Sequence, residues 1–186
     1  MKNRKALIIG GSAGSLEVLL KLLPSVKKKI DFSIVVVLHR KSGMDNVLTE
    51  LLSSKTQLAV KEVEEKEPVE DGIIYLAPSD YHLLIEKNYT FSLDHFEKLN
   101  YSRPSIDVSF QSAAEVYKNR LAGLLLSGAN SDGMAGLQSI KNYGGTTAIQ
   151  DPQSAVVSFM PLHALLNVKI DHVLPIDDMA DFINGF

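Results

Sequence analysis

Unbroken apolar runs alternate with helically spaced apolar positions along this chain, and the switches between the two periods mark its elements. KALIIG, residues 5–10, predicts a short strand covered on both faces. Leu16, Leu19, Leu20 and Leu23 then recur at helical spacing and predict the buried face of a helix that stops at Pro24. DFSIVVVL, residues 31–38, is a second strand of the same kind, rich in β-branched side chains. Met44, Val47, Leu48, Leu51 and Leu52 repeat the helical spacing, and TQLAVKEV predicts a third strand.

The middle of the chain breaks this rhythm. GIIYLAP, YHLLIEK and YTFSL are short, strand-like and separated by turn signals, which predicts an antiparallel meander at one edge of the sheet. The alternation returns with a helix over Ile106–Asn119 that turns Ile106, Phe110, Ala113 and Tyr117 inward, with Ser105 as its N-cap. The strand LAGLLLSG, a helix over Gly133–Asn142 and the strand GTTAIQ follow. A short helix near Pro161–Leu166, the strand HVLP and a last helix capped by Asp177 complete the chain. Strand–helix alternation of this kind predicts an α/β fold: a doubly wound, mainly parallel sheet flanked by helices, with a small antiparallel section in the middle.

Composition narrows the functional classes. At 186 residues the chain has room for one well-buried domain, expected over 1–186, and contains no repeat or low-complexity tract. A formal net charge of −3 supplies no basic footprint, so nucleic acid is not an expected partner. The sequence has no cysteine, which rules out disulfides, thiolate metal sites and a cysteine nucleophile. The apolar run near the N-terminus is too short for a secretory signal and no stretch is long enough to span a bilayer, so the expected location is the cytoplasm. The charged stretch Lys61–Asp71 reads as a solvated loop or strand end.

In an open α/β sheet the working site lies beyond the carboxyl ends of the strands. The residues found there are Ser12 after the first strand, His39 after the second, and Ser127, Asn130, Ser131 and Asp132 after LAGLLL. A serine, a histidine and an aspartate are the inventory of a nucleophile, a general base and the group that orients it. Each has a plainer reading: Ser12 as a small turn residue, His39 as a surface or capping histidine, Asp132 as a helix N-cap. The other histidines fit less well, with His82 inside a strand-like alternation, His95 in a polar loop, His163 on a short helix and His172 at the start of a strand. The opening turn Gly10-Gly11-Ser12-Ala13-Gly14-Ser15 lacks the third glycine of a dinucleotide fingerprint and the Gly-Lys-Ser/Thr ending of a Walker loop. It matches G-x-S-x-G, which sets a serine on a sharp strand-to-helix bend.

These residues sit within stretches that resemble the catalytic domain of the CheB-type bacterial chemotaxis protein-glutamate methylesterases over nearly the whole chain. The stretches are IIGGSAGSLEVL, LAPSDYHLLI, RPSIDVSFQSAAEVY, SDGMAGLQSIKNYGGTTAIQDPQSAVVSFMPLHAL and VLPIDDMADFI. The resemblance implies a serine hydrolase that removes methyl groups from glutamyl side chains of chemoreceptor cytoplasmic helices, with glutamine deamidation as a side activity. It puts the nucleophile at Ser12, the base at His39, the aspartate at Asp132, and the backbone oxyanion donors at Ala13 and Ala129. Arg103 and Met160, the latter in the segment 154–161, are candidates for the substrate groove. No metal or organic cofactor is expected.

Three departures from the family pattern stand out: Ser15 in place of a second glycine, Leu38 where a glutamine precedes the histidine, and Gly128-Ala129-Asn130 in place of Gly-Met-Gly. With the first strand starting so near Met1, no preceding receiver domain is expected. The reading is of a standalone enzyme that is constitutive or controlled by a separate partner, or else of an excised piece of something longer. Two rival readings share the same residues: a non-catalytic docking module of the same fold, and a serine esterase acting outside chemotaxis.

Overall fold

The structure is a computed structural model that describes residues 4–40, 45–99 and 101–186. In chain order its elements are β1 (Lys5–Gly11), α1 (Ser15–Leu22), β2 (Phe32–Leu38), α2 (Asp45–Ser53), β3 (Ala59–Glu62), β4 (Ile73–Leu76), β5 (His82–Ile85) and β6 (Phe91–Asp94). They continue with α3 (Ile106–Tyr117), β7 (Leu121–Leu125), α4 (Met134–Asn142), β8 (Thr146–Gln150), α5 (Phe159–Asn167), β9 (His172–Leu174) and α6 (Ile176–Asn184). Seven strands form one sheet in the order β3-β4-β2-β1-β7-β8-β9, every neighbouring pair parallel.

The unbroken apolar strands are explained by burial on both faces. Along β1, Ala6 and Ile8 join a core with Phe110 and Tyr117 of α3, Leu137 and Ile140 of α4 and Ala164 of α5. Leu7 and Ile9 point the other way, into a core with Val18, Leu19 and Leu22 of α1, Leu52 of α2 and Ile183 of α6. Each fully buried aliphatic chain contributes about 1.5–3 kcal/mol, so the two cores are the main source of cohesion. The chain builds outward from β1 to β2 on one side and resumes at β7 on the other. Strand order therefore reverses between β1 and β7, where α/β sheets open a crevice.

Several local expectations change. GIIYLAP does not belong to a meander: β4 lies inside the parallel sheet, hydrogen-bonded to β2 and β3. Among the described strands only β5 and β6 pair antiparallel, as a separate two-stranded sheet rather than an edge of the large one. Of the inward face expected for the first helix, Leu19 and Leu23 are buried and Leu20 packs against the core, but Leu16 is exposed and the buried Ser15, Val18 and Leu22 complete the face. In α2 Leu48 and Leu52 are buried but Val47 is exposed, and Met44 lies outside the described residues. The charged stretch from Lys61 is pinned by the buried Val63 and Val69. Asp177 lies within the first turn of α6, and Pro175 holds the cap position. Ser105 caps α3 as expected, accepting the Val108 N–H. No helix of the described residues is long and apolar enough to cross a membrane.

Candidate active site

The turn after β1 is fastened to the end of β7 by one residue. The Ser12 N–H donates to the Ser127 carbonyl at 2.9 Å, and the buried Ser15 hydroxyl donates to the same oxygen at 2.6 Å. The Ser127 hydroxyl in turn donates to the Ala13 carbonyl at 2.7 Å and accepts the Val157 N–H at 2.9 Å. Ser127 is itself held by buried Gln150, whose Oε1 accepts its N–H. Gly14 closes the turn at φ 85°, and a Cβ there would lie 2.8 Å from Ser127 Oγ and 2.9 Å from Val156 Cβ. Only glycine meets both demands, the left-handed backbone and the close approach. Ser15 thus adds a hydrogen bond to the turn.

This bend leaves Ser12 half-buried with a hydroxyl that has no hydrogen-bond partner among the described residues. The N–H groups of Ala13 and Ala129 are likewise unpaired among them, and both residues are exposed. The loop carrying Ala129 is braced by Gly128, whose N–H donates to the Val157 carbonyl and whose carbonyl accepts the Met160 N–H. Met160 does not face a groove as expected. It is 1% exposed and fills the space against Gly128, where a Cβ would come within 2.5 Å of Met160 Cε.

His39 follows β2, the neighbour of β1, and its N–H donates to the Gly11 carbonyl. Its Nε2 lies 2.7 Å from Asp132 Oδ2, and the Ser102 hydroxyl stands 3.2 Å from its Nδ1. Ser12 and His39 line one cavity of about 180 Å³ with Leu16, Leu38, Val47 and Leu51. Leu38 thus supplies an apolar wall to this cavity. A second cavity of about 670 Å³ also reaches His39 and Arg40, and is bounded by Asp80, Lys98, Tyr101, Ser102 and Arg103. Arg103 lines this second cavity, and its guanidinium also donates to the His95 and Phe96 carbonyls, so it shapes the loop as well as the wall.

Asp132 is fully buried, and it is not the cap of α4, whose N-cap is Gly133. Its carboxylate is received instead by the start of α3. Oδ2 accepts the Ile106 N–H at 2.7 Å, while Oδ1 accepts the Asp107 N–H and the Ser105 hydroxyl, each at 3.0 Å. Burial alone would raise the Asp132 pKa, but the His39 hydrogen bond and the Asp107 and Ile106 N–H groups outweigh it and hold the group below its ordinary value. The first turn of a helix is also where backbone dipoles favour negative charge.

Asp107 sits beside it, its Oδ1 accepting the Gly133 and Gly136 N–H groups. Burial, with the neighbouring Asp132 charge, pushes the Asp107 pKa up to about 6. Behind Ser105 lies His82, which is fully buried and stacked on Phe96 with ring centroids 4.0 Å apart. Among the described residues no group of three histidines, aspartates or glutamates is arranged to hold a metal ion.

The structure thus brings His39 and Asp132 into hydrogen-bond contact and sets Ser12 on the same cavity wall as His39. Ser102, Asp107, His82 and the cradle at the start of α3 escaped the sequence reading. The pattern did single out Ser105 as a helix cap, and that cap was the one available signal for the cradle.

Residues 7–183 match the family model described as CheB methylesterase. A relative from Leptospira interrogans is 42% identical over 179 residues, spanning 96% of this chain and 93% of its own. The Protein-glutamate methylesterase/protein-glutamine glutaminase of Thermotoga maritima is 36% identical over 92% of this chain. The chain spans about half the length of that relative, 51%. The crystal structure of the Thermotoga maritima CheB methylesterase catalytic domain superposes with a TM-score of 0.93 at 35% identity, covering 97% of each chain.

Proposed function

Because the chain belongs to the CheB methylesterase family of hydrolases, we propose that it cleaves glutamyl methyl esters on the cytoplasmic helices of chemoreceptors through Ser12, His39 and Asp132. The observation that carries this reading is the buried His39–Asp132 pair beside a serine on a strand-to-helix bend flanked by unpaired N–H groups.

Since Nε2 of His39 is committed to the Asp132 carboxylate, it carries the proton and Nδ1 is the basic nitrogen. Ser12 displaces the Ser102 hydroxyl from Nδ1, gives up its proton there, and its Oγ attacks the ester carbonyl. Asp132 fixes the tautomer and stabilises the imidazolium as it forms. The N–H groups of Ala13 and Ala129 receive the oxyanion, each such donor being worth about 10²–10³ in rate. His39 then protonates the departing methoxide and methanol leaves. Water, deprotonated by His39, cleaves the acyl-enzyme and restores Ser12 with glutamate as product. A glutamine side chain follows the same path with ammonia as leaving group.

The deciding experiment is methanol release from methylated receptor membranes by wild type and Ser12→Ala. The variant is expected to lose at least about a thousandfold in turnover with its fold intact, in line with the loss of a serine nucleophile. Retention of most of the wild-type rate overturns the assignment.

A further inference from the structure

We propose that His82 is a positioning residue for this reaction, holding Asp132 in place through the first residue of the α3 cap. The inference rests on the proposed roles of Ser12, His39 and Asp132.

The two ring nitrogens of His82 have unequal partners, and together these fix its state. Nε2 meets the Glu97 carbonyl at 3.0 Å, and a carbonyl can only accept. Nδ1 meets the Ser105 N–H at 3.1 Å, and an amide can only donate. His82 is therefore the neutral Nε2–H tautomer, with a lone pair on Nδ1. Burial lowers its pKa, outweighing the Glu97 hydrogen bond that pulls the other way, and favours the neutral ring that these two partners require. The ring is clamped flat against Phe96 and has no exposed surface.

The Ser105 N–H lies outside the α3 hydrogen-bond ladder and would be orphaned in a buried site without that lone pair. Satisfying it sets the orientation of the Ser105 peptide, and hence of the Ser105 hydroxyl and the Ile106 and Asp107 N–H groups. These are the three α3 donors on the Asp132 carboxylate. The relay runs His82, Ser105, Asp132, His39, and every link is a hydrogen bond between buried or half-buried groups. His82 lines neither of the two cavities at His39, so it acts only at second hand. It does so either through this relay or through the Phe96–Glu97 backbone beside Arg103, and the second route would register in KM.

The test compares kcat and KM for methanol release, per folded molecule by circular dichroism, in His82→Leu, His82→Asn, Asp132→Asn and the Asp132→Asn/His82→Leu double variant. Leucine removes the acceptor, whereas the asparagine Oδ1 can replace Nδ1. His82→Leu is expected to lower kcat about 10–100-fold with KM within about twofold, the range in which a misplaced orienting group costs rate. His82→Asn is expected to stay within about threefold of wild type. In the double variant the leucine should cost less than about threefold beyond Asp132→Asn alone, since the group it positions is already gone. Unchanged kcat in His82→Leu overturns the inference, as does a full repeat of its penalty in the Asp132→Asn background. Where the leucine variant does not fold, a loss above tenfold in His82→Asn overturns it instead. Failure of the activity reading is a separate result, scored by Ser12→Ala keeping its rate.

Discussion

His39 and Asp132 lie 93 residues apart in sequence and 2.7 Å apart between Nε2 and Oδ2. The contact closes on a carboxylate that has no exposure and four hydrogen-bond partners, three of them from the start of one helix. A charge so held is costly to remove and rigid in direction, which suits a group that must orient an imidazole. Asp132→Asn keeps the volume and puts an amide where a carboxylate accepted four donors. Turnover of methyl ester is expected to fall by about 10³–10⁴. A loss below tenfold in steady-state assays would sever Asp132 from the chemistry.

The Ser102 hydroxyl stands at Nδ1 of His39, the nitrogen that Ser12 must reach in the proposed mechanism. If it only occupies that nitrogen between turnovers, Ser102→Ala should keep kcat within about threefold of wild type, the scale of a single weak neutral hydrogen bond. A collapse of kcat comparable to that of Ser12→Ala would instead make Ser102 part of the proton path.

Asp107 makes the stability of the protein depend on pH in a direction opposite to an ordinary ion-paired carboxylate. Its pKa is raised from 3.8 to about 6 in the folded state, so the folded chain binds this proton more tightly than the unfolded chain does. Its contribution therefore favours folding at acid pH and is lost as pH rises through about 6. Asp107→Asn removes the dependence while keeping an acceptor for the Gly133 and Gly136 N–H groups. Between pH 5 and 8 the unfolding free energy of the variant should gain about 1 kcal/mol relative to wild type. Parallel urea-denaturation curves for the two proteins across that range would refute it.

Gly14→Ala tests the bend itself. The substitution combines a left-handed backbone with a Cβ inside contact distance of Ser127 and Val156, and should cost about 1–3 kcal/mol of stability. Because the Ala13 N–H and Ser12 share that bend, turnover is expected to fall as well. A variant within 0.5 kcal/mol of wild type, a difference of about the size of an ordinary surface substitution, would mean that the turn has slack the structure does not display.

What could be read from the pattern, and what could not, follows from the kind of interaction involved. Ser12, His39 and Asp132 were legible because parallel strands send their carboxyl ends to one rim, so the residue after each apolar run is placed by topology alone. The cradle for Asp132 was not, since backbone N–H groups supply two of its α3 donors and amides leave no trace in residue type. His82 was read as a strand residue, which it is; its lone pair toward Ser105 belongs to tertiary geometry. GIIYLAP was placed with the meander because a four-residue apolar strand carries no mark of parallel or antiparallel pairing, and β2 captured it. Spacing places Leu16 inward with Leu19, but it sits at the N-terminal end of α1, where the sheet rim opens, and lines the cavity at Ser12 instead.

Ser127 binds the Ser12 amide with its carbonyl and the Ala13 carbonyl with its hydroxyl, and the loop bearing Ala129 begins at its own C-terminal side. The proposed attacking oxygen and both proposed oxyanion amides thus share a common mount. Part of the cavity walls comes from elsewhere, from Val47, Leu48 and Leu51 of α2 and from Lys98, Tyr101 and Arg103. Drift in those walls can retune which side chain is admitted while the reactive spacing stays as it is, so new substrates are within reach of this scaffold without rebuilding its machinery.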